Sequence, residues 1–298
     1  MTSKLNSKQF GTFLKKIAVS FSTAFLLLFA LFGLASCKTT QALVKEKITN
    51  PEILPVSELV PAEIIWQNVQ DGVEMTGFKI KHLGVSWHCV KIDLDTPGIN
   101  LFYQPTPETL GQIFSVKKVA AQEQAIVAIN STPFDLGGKT YLPVGITKYE
   151  NQTISEINER YCALCFNQNE KGNLRAFIED SQTEENFNQY PYAFGGFFTI
   201  LRNGKTNSFA KNKRSRVGAG ISSEGRFLFL MVATPIFSLN DRNGLNYEEC
   251  AEIFKALGCT DAMQFDGGHS SALVVNGKNI EKPFLQRKVP TILGFKLQ

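Results

Sequence analysis

Read from the N-terminus, the pattern of apolar and polar positions changes twice. Ile17 to Ala35 is an almost unbroken apolar run, preceded by a segment whose only charges are Lys4, Lys8, Lys15 and Lys16. Residues 37–62 scatter apolar side chains among charges and three prolines with little periodicity, as a spacer does. From Glu63 onward, alternation and β-branched residues dominate. Val85 to Leu94 predicts a strand closed by the turn Thr96-Pro97-Gly98, with Ile99 to Tyr103 as its hairpin partner. Ala125 to Ile129 is a short apolar run expected as a buried strand. Further strands are expected at 143–149, 161–166, 174–178, 197–202, 216–221, 227–232, 261–265, 272–275 and 289–297.

Two helices stand out against these strands. Ser115 to Gln124 reads as a short helix with Ser115 as its N-cap. The second is better marked. Asn246 can cap it, Glu248 and Glu249 occupy its first turn, and Gly258 follows its end. Cys250, Ile253, Phe254 and Leu257 fall on one face. Many strands with few helices predict the α+β class, with mixed β-sheets in a single globular domain over residues 63–298. That length is enough for one substantial core.

The apolar run changes the reading of composition. A basic start, an apolar stretch and small residues before a cleavage point resemble a secretory signal. The ending Leu34-Ala35-Ser36-Cys37 resembles a bacterial lipobox. That implies loss of residues 1–36 and a lipid on Cys37. An uncleaved membrane helix is the competing reading, since about 19 apolar residues just span a bilayer. The small residues and the cysteine favour the lipoprotein. The expected location is the cell envelope, anchored to a membrane and facing the periplasm or exterior. The chain carries 31 Lys+Arg and 27 Asp+Glu, and without its first 36 residues it has 27 of each. The basic excess therefore belongs to the targeting segment, and nothing calls for a nucleic-acid partner.

Besides Cys37 there are five cysteines: Cys89, Cys162, Cys165, Cys250 and Cys259. Export permits disulfides, but an odd number leaves at least one outside any internal pair. Cys162-Ala-Leu-Cys165 falls in an expected strand, where positions three apart point to opposite faces. That is poor geometry for a redox pair or a zinc site, so both are expected as buried small side chains.

The passage Gln264-Phe-Asp266-Gly267-Gly268-His269-Ser270-Ser271 carries the sharpest chemical signal. An aspartate at a strand end, followed by two glycines, lets a ligand approach backbone amides closely. Such a loop suits a substrate with both a sugar and a phosphate. Asp-Gly-Gly is also an ordinary turn. The surrounding order adds weight: Ala128-Ile-Asn130, then Arg216-Val-Gly-Ala-Gly220, then a helix, a strand and the Asp266 loop, then Val289 onward. This order resembles the phosphodiester glycosidase family over roughly Ala125 to Leu297. Three positions depart from the family pattern. Ser131-Thr132-Pro133-Phe134-Asp135 stands where Gly-Gly is usual, Gln264-Phe265 where Asn-Leu is common, and His269 where many members have Gly or Pro.

The resemblance implies a hydrolase that frees a sugar from a sugar-1-phosphodiester, with a sugar phosphate or glycan as partner. The departing phosphate monoester needs little proton donation but much anion stabilisation. Asp266 would act as base or as stabiliser of an oxocarbenium-like sugar. Arg216 is the expected phosphate clamp, or else half of an ion pair. Asn130 would bond a sugar hydroxyl or hold the Asp266 loop. Gly267, Gly268, His269 and Ser270 would line the substrate. Asp135 is a possible second carboxylate or a turn residue. No cofactor is expected. A metal site on Asp266 and His269 would have only two ligands in view. Ser270 lacks the strained Gly-x-Ser-x-Gly turn of a nucleophile. A surface-tethered binding module without turnover is the alternative to the enzyme.

Overall fold

A computed structural model of the chain describes residues 54–297, except 139, 208, 210–211, 237–242 and 282–285. The signal segment 1–36, Cys37 and the spacer up to residue 53 lie outside the described residues. The last part of that spacer is packed, not loose. Helix α1 (Val56–Leu59) buries Leu59 completely, and the Leu59 carbonyl accepts a 2.7 Å bond from the Trp87 indole. The folded part therefore begins before Glu63, because Leu59 and Val60 supply apolar surface to the core.

The strands assemble into three sheets in a simple chain order. β1 (Gln67–Gln70), β2 (Val73–Ile80) and β3 (Val85–Asp93) start the first sheet. β4 (Ile99–Gln104) and β5 (Val127–Asn130), with helix α2 (Val116–Gln122) between them, start the second. The next five make a third sheet by themselves: β6 (Thr147–Tyr149), β7 (Gln152–Ser155), β8 (Ala163–Gln168), β9 (Leu174–Glu179) and β10 (Tyr192–Gly195). The short helix α3 (Glu184–Phe187) precedes β10. β11 (Thr199–Arg202), β12 (Lys205–Thr206), β13 (Arg216–Ile221), β14 (Phe227–Pro235), helix α4 (Tyr247–Ala256) and β15 (Asp261–Gln264) complete the first sheet. β16 (Leu273–Val275), β17 (Lys278–Glu281) and β18 (Ile292–Leu297) complete the second. The first sheet runs β1-β2-β3-β14-β13-β15-β11-β12, and the second β17-β16-β5-β18-β4.

The class is α+β. Among the described residues every pairing between named strands is antiparallel, where mixed sheets were expected. Two helical crossovers, β4 to β5 through α2 and β14 to β15 through α4, each join strands that flank a third, β18 and β13 respectively, so neither parallel relation becomes a ladder. The expected hairpin of Val85–Leu94 with Ile99–Tyr103 does not form either. Both edges of β3 are filled, by β2 and β14, and β4 turns away to pair with β18.

Packing follows the strand alternation. Val90, Ile92, Leu101, Phe166, Phe194, Val217 and Phe295 fill a core where faces of all three sheets meet. The opposite face of the first sheet, with Trp87, Cys89 and Met231, is covered by Cys250, Ile253 and Phe254 of α4. The capping of α4 is as expected and is reciprocal. The Glu249 amide donates to Asn246 Oδ1 at 2.8 Å, and the Asn246 amide donates to the Glu249 carboxylate at 2.9 Å. Ser115 sits at the N-cap of α2 without a capping bond. Cys162 and Cys165 are both fully buried, in two different clusters on opposite sides of the third sheet. All five described cysteines are unpaired.

Candidate active site

Three distant segments meet at one end of the first and second sheets. Asn130 closes β5 and is buried. Its side-chain amide donates to the Asp266 carbonyl at 2.7 Å, and its Oδ1 accepts from the Ala272 amide at 2.9 Å. One side chain thus ties both ends of the loop 266–272, a covalent spacer between two backbone groups. The Asp266 amide donates to the Ser131 carbonyl at 2.9 Å, fixing the same junction. Of the two roles open to Asn130, the geometry supplies the loop clamp, since both ends of its amide are engaged by protein.

The glycines are required by the segment before β13. A Cβ on Gly267 would stand 2.5 Å from the Ser215 carbonyl oxygen. Gly268 has φ +61°, and its amide donates to that same carbonyl at 2.9 Å. A short turn over Gly268–Ser270 follows and buries Ser270. The carbonyl of His269 accepts from the Arg287 amide at 3.0 Å. Among the described residues the His269 imidazole makes no hydrogen bond or ion pair.

Asp266 sits at the mouth of this construction. Its side chain keeps 16% of its exposure, but Oδ2 is sealed from solvent and has no hydrogen-bond partner. Burial pushes its pKa up to about 6, against the opposing pull of the Ser270 hydroxyl, the Arg287 charge and the Gly267 amide. Ser131, Ser215 and Ser271 also carry buried hydroxyls without a protein partner. Each belongs to a segment bonded to, or part of, the Asp266 loop. Unmet buried polar groups gathered around one acid make this loop the candidate functional site.

Arg216 starts β13 on the α4 side of the sheet and is only 7% exposed. Its Nε donates to the Leu245 carbonyl at 2.9 Å, and a terminal nitrogen donates to the Asn212 carbonyl. Its guanidinium lies 4.0 Å above the Tyr247 ring. Among the described residues it forms no carboxylate ion pair. Tyr247 lies in the field of both charges of interest. Burial raises its pKa most, the Arg216 charge lowers it and the Asp266 charge raises it. The Tyr247 ring also meets Phe209 and Phe198 edge-on. Asp135 is exposed, and its carboxylate accepts the Gly137 amide at 2.8 Å, an Asx turn that caps its own loop. Among the described residues no hydrogen bond or ion pair joins it to Asp266.

Arg287 was not anticipated. Its Nε donates to Ser270 Oγ at 2.8 Å, and its guanidinium sits 5.0 Å from the centre of the Phe134 ring. A terminal nitrogen lies 3.9 Å from Asp266 Oδ2. The segment around it carries no motif, so only the fold could reveal it. Clefts of about 450 and 310 Å³ open elsewhere, lined by Lys148, Glu156 and Phe187 in one case and by Thr96, Tyr149 and Tyr192 in another. Neither includes the Asp266 loop. Among the described residues, no group of three or more His, Cys, Asp or Glu side chains is placed to hold a metal.

Antiparallel sheets, with a largely buried acid on a glycine loop and two arginines near it, define a strand-rich domain with a candidate active site. The family model for phosphodiester glycosidase matches residues 123–296, more than half of the chain. The chain belongs to the phosphodiester glycosidase family. Solved structures share the fold at low identity. A hypothetical protein from Synechocystis aligns with a TM-score of 0.63 at 16% identity, over 79% of this chain and 64% of that one. This chain thus spans under two thirds of that protein. The catalytic domain of zebrafish N-acetylglucosamine-1-phosphodiester alpha-N-acetylglucosaminidase, auto-inhibited by its pro-peptide, aligns at 0.59 and 18% identity, over 79% and 88%. A putative exported protein from Burkholderia pseudomallei aligns at 0.54 and 14% identity, over 71% and 74%. A comparison with curated protein sequences gives no match.

Proposed function

We propose that this chain hydrolyses a sugar-1-phosphodiester, in the metabolism of a surface glycan or polymer. The observation that carries the reading is Asp266. It is a largely buried carboxylate with one sealed, unpartnered oxygen and a pKa pushed up to about 6, held on a loop clamped by Asn130. A base poised near the working pH suits proton removal from water. Water would attack the anomeric carbon and give its proton to Asp266. The bond from that carbon to the phosphate oxygen would break, and the phosphate monoester would leave with the electron pair. Family membership supports the reaction class; sugar and linkage are part of the proposal. The test is sugar release from a panel of sugar-1-phosphodiesters and nucleotide sugars. Release from at least one supports the enzyme. Binding of such a compound without release would replace it by the tethered binding module.

The location belongs to the same proposal: an envelope protein held to its membrane by lipid on Cys37. Cys37→Ala is expected to abolish lipid labelling and leave the uncleaved precursor. Labelling and mature mass equal to wild type would remove the anchor.

A further inference from the structure

We infer that Arg287, not Arg216, takes the phosphate of the substrate, with Phe134 and Ser270 as its mount. The inference rests on the sugar-phosphodiester reading for the identity of the anion, and it deepens that reading by assigning the cation.

Arg216 and Arg287 both stand near this corner, and they are committed differently. Arg216 is nearly sealed from solvent. Two of its nitrogens already hold the Leu245 and Asn212 carbonyls, and its face is taken by Tyr247. Those bonds fasten the segment before β13 to the start of α4. To grip a phosphate, Arg216 would have to abandon buried carbonyls, and each would be left unsatisfied.

Arg287 is the reverse case. Its side chain is 36% exposed, yet three contacts orient it. Nε is fixed on the buried Ser270 hydroxyl, the backbone amide on His269, and the guanidinium faces Phe134. The bond at Nε leaves the terminal nitrogens for a ligand. The one that approaches Asp266 does so at 3.9 Å, too long for a hydrogen bond. The acid and the cation therefore face each other without a hydrogen bond between them. A diester whose phosphate lies on the guanidinium would carry its anomeric carbon toward the carboxylate. The same placement gives Phe134 a purpose. It stands in the stretch Ser131–Asp135, where the family usually has Gly-Gly, and it supplies the ring beneath the arginine.

The test measures inorganic phosphate binding by calorimetry, together with kinetics on any hydrolysed diester. The variants are Arg287→Met, Arg287→Lys and Arg216→Met, with circular dichroism as the folding control. Methionine keeps an apolar stem against Phe134 and removes the charge. Arg287→Met should weaken phosphate binding by about tenfold or more and lower kcat by about two powers of ten. Arg287→Lys should recover only part, because a point charge cannot make the paired contact. In Arg287→Met the acidic limb of the pH–rate profile should also move upward, since a cation that favours ionised Asp266 is gone. Loss of fold alone would not move that limb. Arg216→Met should melt at lower temperature while its folded fraction binds phosphate as wild type does. Wild-type affinity in folded Arg287→Met, or no saturable phosphate binding by the wild type, would overturn the assignment. If Arg216→Met does not fold, the affinity of Arg287→Met against wild type decides. Phosphate binding that depends on Arg287, in a protein that hydrolyses no diester, would refute the hydrolase while leaving the anion site in place.

Discussion

Among the described aspartates that lie beside arginines, the Asp93 and Asp95 set and Asp266 behave in opposite ways. Asp93 takes two bonds from Arg226, at 2.8 and 2.6 Å, and Asp95 takes one from Arg175 at 2.8 Å. These pairs lie at the rim of the first sheet in partial contact with water. The Arg226 hydrogen bond holds the Asp93 carboxyl below the usual range, and the Arg175 bond does the same for Asp95. Asp266 also has an arginine for a neighbour, but at 3.9 Å and without a hydrogen bond. There burial outweighs the charge and pushes the pKa up to about 6. Residue type does not set the outcome; the contact distance and the water around it do. The first set is satisfied by its own arginines, and Asp266 keeps one oxygen unsatisfied at a place where a substrate can satisfy it.

The largest expected effect comes from removing the unsatisfied member. Asp266→Asn keeps the shape and loses the charge. Turnover should fall by about three to four powers of ten if the carboxylate is the base, with an unchanged circular dichroism spectrum. A folded Asp266→Asn protein with wild-type turnover would take Asp266 out of the mechanism.

Asn130→Ala attacks the clamp that holds Asp266 in its place. It strands a buried carbonyl at Asp266 and a buried amide at Ala272. Denaturant unfolding should show a loss on the order of 3 kcal/mol, and activity should fall with it. A loss below about 1 kcal/mol would mean that the loop is held by other means.

The pKa contrast gives opposite pH slopes. For Asp266 the folded pKa, about 6, lies above the reference value of 3.8, so the folded state holds the proton more tightly. Its contribution is therefore most favourable below pH 4 and is lost as pH rises from about 4 to 6. The loss is about 3 kcal/mol by the size of the shift. Asp93 and Asp95, with lowered values, contribute above the usual carboxylate range, and that contribution disappears as pH falls below it. Stability measured from pH 4 to 7 in wild type and Asp266→Asn should differ by the Asp266 slope alone. Identical slopes would show that burial at Asp266 is relieved by water.

The smallest effect is expected at the rim. Arg226→Ala removes an exposed partner whose contribution water and salt already screen. Turnover should equal that of wild type, and the melting temperature should change little. A marked loss of activity would tie the rim pairs to the site and collapse the contrast between the two sets.

Much of the architecture was legible in residue patterns because it is local. The four apolar positions and the Asn246–Glu249 box belong to α4 and its two caps, a stretch of neighbouring residues. The three-residue spacing of Cys165, in β8, and Cys162, just before it, alone places them on opposite sides of the third sheet. The Asp266 loop was legible for the same reason: strand, acid and two glycines are adjacent in the chain, and Gly267 meets the Ser215 carbonyl as a residue without a side chain must. Pairing was not legible. Alternation states which face of a strand is buried, not which strand lies beside it, so β4 was assigned to β3 when β3 had both edges filled by β2 and β14. The spacer was likewise extended to residue 62, since nothing in Leu59 itself reveals that Trp87 waits for its carbonyl. Nor could spacing tell what Arg216 and Arg287 would each touch. Arg216 sits in a recognisable strand yet spends its donors on Leu245 and Asn212, while Arg287 sits in an unmarked segment and faces Asp266. Composition and periodicity determine elements and their buried faces because those depend on neighbours a few residues away. The partners of a strand edge or a guanidinium come from segments far along the chain, and only the closed tertiary structure chooses among them.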